Sequence, residues 1–222
     1  MSAINWAPVL LSLKVAMFAT LLAMLVGVPL AFLLARRRFP GSDVLGAVVT
    51  LPMVLPPTVL GYYLLVLIGR QGPIGRFLLQ QFHFTLVFTW QAAVLAAAIV
   101  AIPLVVRATQ AAFEAIDPRL EAAARTLGRS DLAVFFTVTI PLAWRGILAG
   151  IVLAFARAMG EFGATLMVAG NIPGRTQTLS VAIYDAVAAG NDTLANALVV
   201  LISIVTIAVL VLLSRIARAT RW

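Results

Sequence analysis

Five long apolar runs, set apart by shorter polar segments, organise the chain. The first goes from about Leu10 to Ala35 and stops at Arg36-Arg37-Arg38. It is too long for a signal-peptide core and no small-residue cleavage pattern follows, so it reads as a retained span. The second runs from about Val44 to Gly69 and contains Leu51-Pro-Met-Val-Leu-Pro-Pro57, which predicts a bend or break. The third covers about Phe84 to Val106, with Pro103 near its end. The fourth covers Gly146 to Ala169. The fifth covers Ala195 to Ser214 and is followed by Arg215, Arg218 and Arg221. Each run is close to the roughly 20 residues a helix needs to cross a bilayer. The expectation is therefore an all-α polytopic membrane protein with five transmembrane helices. Residues 1–222 read as a single domain, with a polar loop at 107–145 on one side and another at 170–194 on the other. No internal repeat is evident, and an odd number of spans argues against two inverted halves.

Composition reinforces the pattern. The chain is 63% hydrophobic and 11% charged, whereas a soluble domain is about 45–50% apolar and roughly 25% charged. Over 222 residues this leaves no room for a separate soluble catalytic domain. The formal charge of +8 would suggest nucleic acid in a soluble protein. In a membrane protein it speaks first of orientation. If the Arg36 end lies inside, the inner side holds eleven bases: Arg36, Arg37, Arg38, Arg107, Arg119, Arg125, Arg129, Arg145, Arg215, Arg218 and Arg221. The outer side holds three, Arg70, Arg76 and Arg175, while Lys14 and Arg157 lie within spans. That asymmetry predicts the N-terminus outside and the C-terminus inside, and no nucleic-acid partner. Trp6 and Trp90 then fall at the outer interface, and Trp144 and Trp222 at the inner one. Lys14 is expected to snorkel outward. There is no cysteine, and His83 is the only histidine, which excludes thiol chemistry and His-cluster metal sites.

The charge-rich segment Arg107–Arg145 contains a short predicted helix, Pro118 to Leu127. Asp117 is its N-cap, Pro118 its first residue and Gly128 its stop. Leu120, Ala123, Ala124 and Leu127 share one face, with Arg119, Glu121, Arg125 and Thr126 elsewhere. Such a helix either lies at the lipid headgroups or docks on a soluble partner. A second stretch, Asp131 to Thr139, leads to Pro141.

The run Leu120-Glu-Ala-Ala-Ala-Arg-Thr-Leu-Gly128 followed by Val138-Thr-Ile-Pro141 resembles the Glu-Ala-Ala loop of ABC importer permeases. Counting back from Gly128 places that loop's three leading positions at Ala122, Ala123 and Ala124, so Glu121 is displaced by one residue. Two further stretches are similar to molybdate permease subunits: Leu51 to Tyr63, and Ala156-Arg-Ala-Met-Gly-Glu-Phe-Gly-Ala-Thr165 with Gly170-Asn-Ile-Pro-Gly-Arg-Thr-Gln-Thr178. The resemblance runs from about Leu10 to Arg215. It implies a type I importer permease, MetI-like, in a bacterial inner membrane. Its implied partners are lipid, a second copy of the chain, two ATP-binding cassette subunits, an external binding protein and a molybdate oxyanion. Sulfate, thiosulfate or tungstate are alternative anions within the class.

The resemblance makes Asp117, Leu120, Glu121, Ala122, Ala123, Ala124, Arg125, Leu127, Gly128 and Pro141 the expected ATPase-coupling residues. Pro56, Pro57, Arg157, Gly160, Glu161, Gly163 and Thr165 are candidates for the translocation path or gate. Arg157 and Glu161 either line that path or form a structural ion pair at a dimer contact. Gly160 and Gly163 either serve a gate or pack helices closely. Asn171, Pro173, Gly174, Arg175 and Thr176 belong to the outer loop, whose later part, Leu179 to Val187, is a candidate interfacial helix. The chain lacks the Gly-Lys-Ser/Thr of a P-loop, since its one lysine, Lys14, follows Leu13. No cofactor is expected on it, ATP-Mg belongs on a partner, and no residue is assigned a catalytic role. A secondary transporter driven by an ion gradient is the alternative from another class. It would favour several intramembrane carboxylates, and only Glu161 qualifies.

Overall fold

The computed structural model describes residues 6–36 and 39–219, without the side chains of 213, 214 and 216–219. Expectations placed on Arg37, Arg38, Arg221 and Trp222, and on the Arg218 side chain, lie outside the described residues. The helices are α1 (Ala7–Arg36), α2 (Ser42–Val54), α3 (Pro57–Ile68), α4 (Pro73–Phe82), α5 (Trp90–Glu114), α6 (Pro118–Thr126) and α7 (Asp131–Val134). A five-residue π-helical stretch (Phe135–Thr139) joins α7 to α8 (Ile140–Met159). Then come α9 (Gly163–Ala169), α10 (Leu179–Ala188) and α11 (Asp192–Ala219). No strand occurs among the described residues.

Among the described residues, four helices are long and apolar enough to span a bilayer: α1, α5, the continuous rod Asp131–Met159, and α11. The pair α2 and α3, bent by 112° at Leu55-Pro56, makes a fifth if counted as one span. Pro56 and Pro57 account for the break, because neither can donate a backbone N–H.

The centre is built by close approach of small side chains. Val15, Ala16, Ala19 and Ala23 of α1 meet the alanine face of α5, among them Ala92, Ala93, Ala96, Ala97 and Ala101. Lipid removes most of the hydrophobic drive between helices, so tight van der Waals packing of small residues takes its place. Glycines carry the same principle to α8. A Cβ on Gly150 would lie 3.1 Å from the Cα of Val105, and one on Gly146 would strike Ala112. At the Arg36 end, Phe32, Phe113 and Phe135 form an aromatic plug, with the Phe32 and Phe135 centroids 4.8 Å apart. At the opposite end, exposed Lys14 stands with its Nζ 3.7 Å over the Trp90 ring.

Several boundaries differ from the sequence expectation. The third span begins at Trp90 and its helix continues past Arg107 to Glu114, because Thr109 and Phe113 remain buried there. The fourth span is not one helix over 146–169. It begins at Asp131, ends at Met159, and is broken at Gly160-Glu161-Phe162 before α9. Pro141 ends no helix. It has no N–H, and the Ile140 N–H instead reaches back to the Phe135 carbonyl, widening the turn into the π stretch. Of the polar segment 107–145, only 115–117 and 127–130 are non-helical. The short helix α4 was not anticipated, whereas the helix expected over Leu179–Val187 is present as α10.

Candidate functional site

The predicted coupling residues other than Pro141 fall on one projecting unit. Asp117 caps α6 by accepting the Arg119 N–H at 2.9 Å, and Gly128 ends it with φ +81, a conformation glycine adopts without a Cβ penalty. The helix then departs from the amphipathic pattern of a surface helix. Its one buried residue is Glu121, 4% exposed, while Leu120 is 49% and Leu127 83% exposed. Ala122 and Ala123 are exposed and Ala124 half-buried. The apolar face thus points away from the protein, and a carboxylate points in.

Glu121 Oε1 receives Arg36 Nη2 at 2.8 Å and Thr139 Oγ at 2.9 Å. Arg36 ends α1, and Thr139 lies in the π stretch that opens the α8 rod. One carboxylate therefore ties α6 to two different spans. Arg125 Nη2 stands 3.9 Å from Glu121 Oε2, while Arg125 Nε donates to Asp131 Oδ1 at 2.7 Å. That hydrogen bond and the adjacent carboxylates hold the Arg125 guanidinium above its ordinary pKa. Behind the helix lies a cavity of about 550 Å³, lined by Phe32, Arg36, Glu121 and Thr139 among others. Pro141 sits on α8 beyond the π stretch and contributes to the rod's geometry rather than to the projecting unit.

The path candidates also converge, on a junction of two helix breaks. Arg157 Nη2 and Glu161 Oε2 pair at 2.9 Å, and Glu161 is 3% exposed. Glu161 Oε1 accepts the Ala164 N–H at 3.0 Å, so the same carboxylate caps α9. The pair is nearly neutral as a unit, which lowers the cost of burying it in lipid. A Cβ on Gly163 would lie 2.7 Å from that of Pro57, and one on Gly61 2.6 Å from that of Met167. The break after Pro56 therefore abuts the break before Gly163. Gly160 does not share this role: nothing lies within 3.9 Å of its added Cβ, so no close contact within the chain requires a glycine there. Thr165 is buried on α9.

In the outer loop, Thr176 is fully buried and its Oγ accepts the Ile172 N–H at 3.1 Å. Asn171 and Gln177 both donate to Asp185, closing the loop onto α10. Gly174 turns with φ +75, and Pro173 and Arg175 are exposed. Ser12, which the sequence did not single out, accepts the Leu179 N–H at 2.7 Å and fastens α10 to α1. Among the described residues no group of three or more acids and histidines is gathered that could hold a metal ion.

Comparison with known proteins bears on the whole chain. Residues 27–221 match the family model described as binding-protein-dependent transport system inner membrane component. The molybdenum transport system permease protein ModB of Escherichia coli K12 is 48% identical over 218 residues, 98% of this chain and 95% of that protein. ModB of Haemophilus influenzae is 51% identical over 183 residues, covering 82% and 78%. Among solved structures, an inward-facing MetNI methionine ABC transporter aligns with a TM-score of 0.76 at 20% identity, over 99% of this chain and 98% of that one.

Proposed function

The chain belongs to the family of binding-protein-dependent transport system inner membrane components, and on that premise we propose that it is the permease subunit of an ATP-driven molybdate importer. It is a multi-pass protein of the cytoplasmic membrane. The near-full-length likeness to molybdenum permeases supports the substrate. The observation that carries the mechanism is α6, tethered through buried Glu121 with its apolar residues turned outward. An unpartnered apolar face beside Arg119 and Arg125 suits a cleft on a separate ATPase subunit.

In this reading the Arg36 end faces the cytoplasm. The nucleotide is bound and hydrolysed by two cassette subunits, and two copies of the chain enclose the path. ATPase closure moves α6. Glu121 passes that displacement to α1 through Arg36 and to α8 through Thr139. The rod of α8 ends at the Glu161 break, where α9 rests against Pro57 and Gly61 of α3. Backbone groups freed at such breaks are tolerated in a membrane where they find partners or line a cavity. Glu161 satisfies one of them, and the remainder face the path between the two copies. An external binding protein delivers the anion to the opposite face.

The test is uptake by vesicles holding this chain, its ATPase subunits and the binding protein. Molybdate uptake should require ATP inside and should resist excess sulfate. Uptake by the chain alone on an ion gradient would overturn the ATP-coupled reading, and full competition by sulfate would overturn the substrate.

A further inference from the structure

Beyond the α3 helix, at the end opposite Arg36, a cavity of about 540 Å³ opens between Arg70, Thr85, Phe88, Thr89 and Arg175. A smaller cavity of about 250 Å³ adjoins it, sharing Phe88, Thr89 and Arg175. Among the described residues, no acidic side chain lines either one. The Arg70 and Arg175 side chains make no hydrogen bond or ion pair among the described residues. Thr85 Oγ is likewise without a partner, whereas Thr89 Oγ is engaged with the Leu86 carbonyl and the Ala92 N–H. Arg76, by contrast, reaches the Gln71 carbonyl and lines neither cavity.

Two unpaired guanidiniums facing one concavity create a focused positive potential, and their flat N–H forks match the edges of a tetrahedral oxyanion. The wall is also tied to the path. Phe88, held at φ +60, donates its N–H to the Val168 carbonyl at 2.9 Å and lays its ring against Gly170, at the end of α9. We propose that this cavity is a receiving site for the doubly charged oxyanion, which Arg70 and Arg175 hold between its release by the binding protein and its passage along α9. The inference rests on the importer reading above.

The experiment uses the assembled complex in lipid vesicles. Binding of radiolabelled molybdate is measured by equilibrium dialysis without binding protein, and ATP-driven uptake is measured with it. The paired substitution Arg70→Gln with Arg175→Gln should weaken direct binding about tenfold, equivalent to ~1.4 kcal/mol. The loss should be larger at low salt, where exposed charges are less screened. Thr85→Val should weaken it less, and Arg76→Gln should leave it unchanged. Equal binding by wild type and the paired variant would overturn the receiving site. So would intact anion binding with weakened capture of the binding protein, which would assign the arginines to an acidic partner surface. Failure of the wild-type complex to import molybdate at all would instead overturn the importer reading.

Discussion

Replacing Glu121 with glutamine tests the tether of α6 most directly. The native carboxylate is 4% exposed and holds Arg36 at 2.8 Å and Thr139 at 2.9 Å. Glutamine keeps the shape and an acceptor for Thr139 but leaves the Arg36 guanidinium facing a neutral group. Removing one partner of a fully buried pair costs about 3–5 kcal/mol. The Arg36 side chain is 16% exposed, so water relieves part of that, and a loss of about 2–3 kcal/mol is expected. At about 1.4 kcal/mol per decade, detachment of α6 should become roughly 30- to 150-fold more frequent. Hydrogen exchange of the detergent-solubilised chain, followed by mass spectrometry, reads this in peptides covering 118–130, with the middle of α5 as internal reference. Trypsin cleavage after Arg125 and Arg129 gives an independent readout. If exchange and cleavage in this segment stay within threefold of wild type, Glu121 is not the tether and transmission through it is wrong.

Three further outcomes follow from the same geometry. Ala123→Glu places a charge on an exposed face of α6; the chain should fold and insert normally but fail to co-purify with its ATPase subunits, and an intact complex would remove α6 as the docking element. Gly163→Ala drives a Cβ to 2.7 Å from Pro57 whereas Gly160→Ala meets nothing within 3.9 Å; the first should cost about 1–3 kcal/mol in overpacking and lower Tm and uptake, the second should do neither, and equal effects would contradict the junction. Glu161→Ala removes both the Arg157 partner and the cap on Ala164 and should abolish uptake, while Glu161→Gln keeps an acceptor for the cap and should retain a measurable fraction; indistinguishable uptake by the two variants would show that the cap contributes nothing.

Much of the architecture could be read from the chain because lipid imposes a blunt rule: a span needs an uninterrupted apolar stretch. Asp117, Pro118 and Gly128 likewise mark α6 through local chemistry alone. The misjudged boundaries arise where tertiary contacts override local signals. Arg107 looked like the end of a span, yet its Nη2 bonds Thr50 of α2 at 2.7 Å and the helix runs on beneath Phe113. Asp131–Thr139 and the span beyond Pro141 read as separate stretches, but a wide turn joins them into one rod. Gly160-Glu-Phe-Gly163 fell inside one expected span, with its glycines open between gate and packing, and the break there becomes visible with Pro57 of α3 against Gly163. Glu121 was the hardest to place: a helical wheel shows which residues share a face but not which face turns inward, and here the polar side is the buried one.

The rod from Asp131 to Met159 has a mechanical consequence. At about 1.5 Å per residue it is roughly 44 Å long. It crosses α5 closely at Gly146 and Gly150, where an added Cβ would meet Ala112 and Val105 and little room is left to slide. In the proposed coupling route this crossing would serve as a fulcrum, with an arm of about 14 Å to Thr139, where Glu121 grips the rod, and about 17 Å to the Glu161 break. A push of about 3 Å at Thr139 would therefore swing the far end by about 4 Å in the opposite sense, with the stroke slightly enlarged. Geared this way, the motion would arrive at the two abutting breaks at nearly its full amplitude, where Pro57 and Gly163 are closely packed.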